Sequence, residues 1–177
     1  TSAEIDGLVV ENIATPIYGG LEFVYSMYDG DGDGLPDSWS YPSIEANAIT
    51  LRGIADKNAL HIQGFRYCTS KDADGNCEGW ETVVGSILLA DIVVEDNGSG
   101  LGVGNNAIHL DTAYNVDIQG IDLSALGHVG VYASNSTLSI VGESSSRTGL
   151  IDTPIGAGIH VAESTVSLKD IDILDAG

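Results

Sequence analysis

A short motif recurs three times in the C-terminal half of the chain and constrains its fold more than any other feature. The copies are Asn106–Leu110, Val129–Ala133 and Ala157–Val161, and each combines small and apolar residues with one ring-bearing residue. A second motif, of alternating apolar and polar residues, follows each copy after four or five residues. The steps from Ile108 to Val131 and from Val131 to Ile159 are 23 and 28 residues. A period in the twenties with strand-like alternation predicts a solenoid.

Period-2 alternation means that Ile108 and Leu110 point to one side of a strand and His109 to the other. One copy cannot bury its apolar side alone, whereas copies stacked about 4.8 Å apart pair each strand above and below and create a continuous interior. Helical solenoids have similar periods. The β-branched residues, the Gly and Asn punctuation and the lack of an i, i+3, i+4 stripe argue against them. The sequence therefore predicts an all-β chain, a parallel β-helix.

Further copies extend the pattern through most of the chain. Asn58–Ile62 reproduces the first motif, and Ile87–Asp96 matches Val166–Asp175 nearly position by position. The combination Gly-Ile-x-Val, small polar turn, x-Val-x-Ile resembles the right-handed parallel β-helix repeat of pectate lyases, other polysaccharide-active proteins and many surface proteins. The resemblance implies one right-handed parallel β-helix domain over residues 1–177, and it implies little about function.

The terminal motifs carry no caps. Ala3–Val10 begins as a strand motif without a preceding cap, and Leu168–Leu174 ends without one. Solenoids need polar end caps to stay soluble. The sequence also lacks a starting Met and a signal peptide, so we expect a mature or excised piece. We expect the chain to be a segment of a longer chain or assembly, with neighbouring repeats or subunits stacked end to end.

Two long loops are predicted to interrupt the repeat, at about residues 13–46 and 65–84. Function in solenoids concentrates in such excursions.

In the first loop, carboxylates alternate with glycines and place hard oxygen ligands around one point, as Ca²⁺ requires. This loop resembles the calcium loops of EF-hands and of thrombospondin type 3 repeats and related bacterial and archaeal surface proteins. The resemblance implies these ligands: Asp29, Asp31 and Asp33 at positions 1, 3 and 5, the Leu35 carbonyl at 7 and Asp37 at 9.

The first loop departs from the calcium-loop pattern at position 12, where Ser40 replaces the bidentate Glu. Glu45, or a carboxylate from another repeat, would have to substitute. A solvated acidic turn is the alternative. Repulsion among three neighbouring carboxylates nevertheless favours a bound cation.

The second loop shares the pattern Asp-x-Asp-Gly-x-x-acid-x-Trp with the first. Its candidate ligands are fewer: Asp72, Asp74, Asn76 and Glu78. We predict a second calcium site there, with a plain acidic turn as the alternative. Trp39 and Trp80 would cover the ion sites or pack the loops together, and a sugar-stacking platform is a further alternative.

Cys68 and Cys77 are the only cysteines, and they bracket the second loop. A pair spaced to close a short loop predicts a disulfide, formed in an oxidising compartment. Two cysteines without a nearby His are too few for a zinc site. We therefore expect an extracellular or cell-surface protein.

The charge balance restricts the partners. Six Lys and Arg oppose 26 Asp and Glu, a formal net charge of −20. Such a surface repels phosphate backbones and anionic headgroups, so we expect no nucleic acid and no direct membrane insertion. It attracts Ca²⁺. The hydrophobic content of 43%, placed with period 2, argues against disorder.

Three histidines occupy equivalent outward positions in their copies. His61, His109 and His160, with Tyr132 between the last two, predict an external row of stacked rings, and metal ligation is the less favoured alternative. Asn97 and Asn135 begin glycosylation sequons, which often arise by chance.

Catalytic residues are hard to find in this sequence. Pectate lyases need a basic residue to take a proton from the sugar, and none of the six cations falls in a recognisable catalytic motif. Gly127–Gly130 only weakly resembles the Gly-His-Gly of β-helix hydrolases, and their Arg-x-Lys element is absent. We predict a calcium-stabilised structural or interaction segment of a surface-layer, adhesin or filament protein, without catalysis. The alternative is a carbohydrate-active enzyme or polysaccharide-binding module, with a groove lined by Trp39 or Trp80 and Asp side chains.

Overall fold

The structure is a computed structural model that describes residues 2–11, 20–24, 26–33, 35–40, 43–54, 58–83, 86–95, 106–124, 129–152 and 156–174. All regular structure in these residues is β-strand, so the predicted all-β class is confirmed. The strands are β1 Ser2–Asp6, β2 Val9–Glu11, β3 Leu21–Phe23, β4 Ser26–Tyr28, β5 Ser38–Ser40, β6 Ser43–Arg52, β7 Leu60–Gln63, β8 Phe65–Lys71, β9 Cys77–Val83, β10 Ile87–Glu95, β11 Asn106–Asp111, β12 Val116–Ser124, β13 Val129–Ser134, β14 Thr137–Val141, β15 Leu150–Asp152, β16 Ile159–Ala162, β17 Thr165–Lys169 and β18 Asp172–Leu174. Within the described ranges, no helix is both long and apolar enough to cross a membrane.

Nine strands form the first sheet, in the order β1-β6-β10-β12-β14-β17, with β2 on β6, β15 on β12 and β18 on β15. Every pairing in it is parallel. The register follows the sequence repeat, because one row of paired residues runs through Ile44, Ile87, Val116, Leu138 and Val166. Equivalent residues of successive copies therefore lie side by side.

The second sheet has five parallel strands in the order β3-β7-β11-β13-β16. The chain alternates between the sheets: β6 and β10 lie in the first sheet, and β7 and β11 follow them in the second. The same alternation continues from β12 to β17.

The interior is aliphatic and is shared by both sheets. Buried and exposed residues alternate along β6, where Ile49 and Leu51 are fully buried. Leu60 and Ile108 of the second sheet belong to the same hydrophobic cluster. Period-2 alternation thus sorts the side chains between the core and the surface as the sequence indicates.

The core is only partly covered at its two ends. At the first end Ile5 and Phe23 are partly buried. At the other end Val161, Leu168 and Ile173, which align with buried residues of the preceding strands, are 45%, 46% and 44% exposed.

The strands of the first sheet bend at one register position, which we call the corner row. Gly7, Ala48, Asp91, Gly120 and Asp170 form it, with positive φ angles of 71°, 53°, 53°, 79° and 54°. Left-handed residues let each strand turn while pairing continues on both sides of the bend. Beside Gly120 the chain adds an extra loop, closed by an antiparallel bridge between Glu143 and Thr148.

Two antiparallel hairpins stand apart from the parallel sheets: β4–β5 and β8–β9. The second covers almost all of the predicted excursion at 65–84. The first is shorter than the predicted excursion at 13–46, because Leu21–Phe23 pairs with β7 and Ser43–Arg52 pairs with β10. Residues 12–19 lie outside the described part of the chain.

Candidate functional site

The first acidic loop connects β4 to β5 and is closed by backbone and side-chain hydrogen bonds. The Asp37 amide donates to the Tyr28 carbonyl at 2.8 Å, and the Gly30 amide donates to Asp37 Oδ2 at 2.7 Å. The loop therefore brings its two ends together and turns the Asp37 side chain inward.

Three predicted ligands converge in this loop. One carboxylate oxygen from each of Asp29, Asp31 and Asp37 lies within 4.8 Å of the others, and all three residues are exposed. At such separations each like-charged pair repels by about 1 kcal/mol even in bulk water. A divalent cation would replace this repulsion with attraction, and carboxylate oxygens are the ligands that Ca²⁺ prefers.

A fourth predicted ligand of the first loop, Asp33, is placed differently. Asp33 Oδ1 accepts a hydrogen bond from the Leu35 amide at 2.7 Å, and the Asp33 carboxylate is not part of the cluster. Similar local bonds orient two cluster members: Gly32 donates to Asp29 Oδ1 at 2.8 Å, and the Asp33 amide donates to Asp31 Oδ1 at 3.2 Å. The loop backbone thus fixes its carboxylates from within.

A substitute for the missing position-12 ligand is not found at Glu45. This residue lies in β6, paired in register with Glu4 of β1, and both line a groove on the first sheet. The side chain of Ser40 lies outside the described part of the structure, as does that of Trp39.

The second acidic loop forms the tip of the β8–β9 hairpin and is capped by its own aspartate. Asp72 Oδ1 accepts from the Asp74 and Asn76 amides at 2.9 and 2.8 Å, and Oδ2 accepts from Asn76 Nδ2 at 3.1 Å. These bonds, chiefly those from Asn76, lower the pKa of Asp72 below its ordinary value of 3.8. Asp74 and Glu78 are exposed, and within the described residues they form no three-membered ligand group.

The β8–β9 hairpin is held by the predicted disulfide, which is confirmed: Cys68 and Cys77 are bonded, with their Cα atoms 5.7 Å apart. The hairpin also reaches the first acidic loop, because Lys71 Nζ donates to the Asp33 carbonyl. The two hairpins therefore touch through a cation placed at the edge of the acidic loop.

Trp80 stands on the β8–β9 hairpin and is 53% exposed. The Arg66 guanidinium carbon lies 4.9 Å from the centre of its ring, a cation–π contact. Trp80 is therefore a surface residue covered in part by Arg66.

The predicted ring row lies on the outer face of the second sheet. Glu22, His61, His109, Tyr132 and His160 pair in succession across β3, β7, β11, β13 and β16. Adjacent rings have centroids 4.9, 5.0 and 5.0 Å apart. The carboxylate at the first end lies 3.2 Å from His61 Nδ1. Tyr132 and His160 are stacked, with an interplanar angle of 26°, whereas His61 and His109 are tilted by 34° and His109 meets Tyr132 edge to face at 85°. The row is therefore one of contacting surface rings that ends in one acid.

Two asparagines not singled out in the sequence hold His109 in this row. Asn58 Oδ1 accepts from both the amide and Nδ2 of Asn106, at 3.2 and 3.0 Å, which orients the Asn58 side chain. Asn58 Nδ2 then faces His109 Nδ1 at 2.9 Å and donates to it. The imidazole proton of neutral His109 is thereby assigned to Nε2. Their matching places as the first residues of two copies of the first motif were the available sequence signal.

A second cluster missed from the sequence lies at the corner row. Ser144 and Ser146 of the extra loop donate to the two oxygens of Asp91 at 2.5 and 2.6 Å. These bonds lower the pKa of Asp91, and the charge of Arg147 lowers it further. The added length of this repeat signalled a loop, and nothing in the sequence paired it with Asp91.

Comparisons with protein-family models, curated proteins and solved structures return no significant match.

Proposed function

We propose that the chain is a calcium-stabilised, right-handed parallel β-helix that serves as a structural or interaction segment of a secreted or cell-surface protein. Such proteins include surface-layer, adhesin and filament proteins, and the segment has no catalysis of its own. The alternation of the chain between two parallel sheets with a shared aliphatic interior supports the β-helix. Crossovers between parallel strands are right-handed in nearly all proteins, which supports the hand.

The convergence of Asp29, Asp31 and Asp37 carries the calcium proposal. With Ca²⁺ bound, these side chains, Asp33 and the Leu35 carbonyl would tie the β4–β5 hairpin into one unit. The second loop is a weaker candidate for calcium, since Asp72 already satisfies its carboxylate oxygens within the turn.

An extracellular or cell-surface location is supported by the disulfide and by the charge. A disulfide across a short exposed hairpin persists in oxidising compartments. The net charge of −20 disfavours nucleic acid and anionic membranes as partners. The partners we propose are neighbouring repeats or subunits stacked end to end.

Thermal melting with and without calcium tests the proposal. At fixed ionic strength, Ca²⁺ well above its Kd should raise the Tm by several degrees over the value in chelator, because a ligand at 100 times Kd stabilises by about 2.7 kcal/mol. The double substitution Asp31→Asn with Asp37→Asn should abolish this difference. The matched control, Asp117→Asn with Asp122→Asn, changes the charge equally on the first sheet and should retain it. A wild-type Tm indifferent to chelator would contradict the calcium site.

Polysaccharide binding or cleavage is the second candidate, and a groove favours it. Its volume is about 360 Å³, on the outer face of the first sheet, and its lining is Glu4, Ile5, Asp6, Glu45, Ala46, Asn47, Leu88 and Ala90. Trp80 is not among these lining residues. Binding or turnover in a polysaccharide panel, lost on changing Glu4 and Glu45 to Gln, would favour this candidate. If replacing Asp33 or Arg66 abolished the activity instead, the site would lie at the hairpins. Neither binding nor turnover of any polysaccharide in the panel would contradict this second candidate.

A further inference from the structure

We infer, on the basis of the proposed calcium site, that Lys71 is the built-in counter-cation of the first acidic loop. Its ammonium group holds the empty loop closed, and a divalent cation bound there must compete with it. The contact that carries this inference joins the two hairpins, where Lys71 Nζ donates to the Asp33 carbonyl. Donor and acceptor are 38 residues apart, so the contact belongs to the tertiary fold and not to either turn alone.

The β8–β9 hairpin fixes the point from which the Lys71 side chain extends. Lys71 is the last residue of β8 and pairs in register with Cys77 of β9. Cys77 is bonded to Cys68, so the strand pairing and the disulfide both hold this part of the backbone. The adjacent Asp72 carboxylate is committed to its own turn, where both oxygens accept hydrogen bonds. The ammonium group instead reaches the other hairpin.

This contact places a positive charge beside the clustered carboxylates. The Asp33 amide donates to Asp31 Oδ1 at 3.2 Å. One hydrogen bond, the backbone of Asp33 and a second hydrogen bond thus connect Lys71 Nζ to Asp31 Oδ1, a path that spans at most about 9 Å. Carboxylate oxygens of Asp29 and Asp37 lie within 4.8 Å of one on Asp31. The ammonium group therefore offsets part of the repulsion among these carboxylates.

The same charge opposes a bound calcium ion. A charge of +1 at about 9 Å from a charge of +2 in water weakens binding about threefold at low ionic strength. At about 0.5 M salt the screening length is well below that separation, so the effect should disappear. The coupling is reciprocal, because calcium weakens the Lys71 contact by the same factor. Lys71 thereby makes the loop respond to higher calcium concentrations than its carboxylates alone would require.

Amide hydrogen exchange in chelator tests the role of Lys71 in the empty loop. The Asp37 amide closes the loop on the Tyr28 carbonyl. In Lys71→Met this amide should exchange about threefold faster, because the loop opens more often without its counter-cation. Lys71→Arg keeps the charge and should keep most of the protection. The matched control, Lys169→Met, removes an equal charge from a 71% exposed side chain on β17 and should leave the Asp37 amide unchanged.

Calcium titration calorimetry at about 10 mM and about 0.5 M NaCl tests the competition. At the lower salt concentration, Lys71→Met should bind calcium about threefold more tightly than the wild type does. Lys71→Glu should bind about tenfold more tightly, because its change in charge is twice as large. Both gains should vanish at the higher salt concentration, whereas a merely structural role of Lys71 would not depend on salt. Lys169→Met should remain close to the wild type at both.

Two results would overturn the inference. The first is equal exchange of the Asp37 amide in Lys71→Met and Lys169→Met. The second, for a wild type that binds calcium, is an equal calcium affinity of these two variants at low salt. A wild type that binds no calcium contradicts the proposed calcium site instead, and the exchange experiment then decides the role of Lys71. If Lys71→Met fails to fold by circular dichroism, Lys71→Gln takes its place.

Discussion

His109 shows at the scale of one residue how a row position controls protonation. Its ring is half-buried between His61 and Tyr132, and Asn58 occupies Nδ1. Burial lowers the pKa of His109 below its ordinary value of 6.5. The nearby His61 lowers it further, and Asp111 partly offsets the effect. Neutral His109 is therefore the form that fits the folded chain.

This environment predicts a pH-dependent part of the stability. Below about pH 6.5 the unfolded chain binds a proton at this residue that the folded chain does not, so the contribution is complete above that value and is lost as the pH falls. The His109→Phe variant should show a smaller fall in unfolding free energy between pH 7 and 5.5. Urea titrations across that range measure the two slopes, and equal slopes would contradict the prediction. Comparing slopes removes the constant cost of the lost Asn58 contact.

At the scale of the element, the corner row depends on backbone conformation and on space. A Cβ on Gly120 would lie 2.6 Å from Ser144 Oγ and 2.8 Å from Asp91 Oδ1, in a residue with a φ of +79°. The absence of a side chain at Gly120 is therefore what lets Asp91 reach the extra loop across the intervening strand.

We expect Gly120→Ala to destabilise the chain by about 2 kcal/mol, from the left-handed backbone and from the displaced Asp91–Ser144 bond. Ala48→Gly is the matched substitution in the same row. It removes a Cβ at a φ of 53° and should stabilise by up to about 0.5 kcal/mol, since relieved strain exceeds the added chain entropy. Urea midpoints measure both changes. Equal destabilisation by the two variants would show that the corner row has no conformational preference.

Much of the sheet structure could be predicted from the sequence, because alternation and repeat spacing are local signals. The ring row and the core positions of Ile108 and Val131 follow from them. The corner row could not be predicted, since Ala48 and Asp91 share no residue type with its glycines. Leu21–Phe23 was missed because three residues are too few to show alternation.

The candidate site was predicted in part. The alternation of aspartate with glycine identified the loop that brings Asp29, Asp31 and Asp37 together. The spacing could not show that Asp33 accepts a hydrogen bond from the Leu35 amide. It also could not show that the Asp72 carboxylate accepts hydrogen bonds within its own turn, because both features depend on local hydrogen bonding.

At the scale of the whole molecule, repulsion among the excess acidic residues destabilises the folded state. Among the ion pairs of the described residues, Arg52 is the cation that contacts two carboxylates. Its guanidinium nitrogens lie 2.7 Å from a carboxylate oxygen of Glu11 and 2.7 Å from one of Glu95. These carboxylates raise the pKa of Arg52. Most other acids have no such cation beside them, since 26 acids face six bases.

We therefore expect monovalent salt to stabilise the monomer. Raising NaCl from 10 to about 300 mM should screen the repulsion among acids and raise the Tm by several degrees, where about 1 kcal/mol corresponds to about 2–4 °C. Scanning calorimetry in chelator isolates this effect from calcium. A Tm that falls with salt would show that ion pairs such as Arg52–Glu95 outweigh the general repulsion.

The loop between Glu143 and Thr148 departs from the corner and returns to it, while the parallel pairing on both sides continues from β14 to β15 and their neighbours. The bend is therefore a position at which the fold accommodates an added segment. Peptides inserted into this loop would lie on the outer surface, and the strands beneath would keep their register.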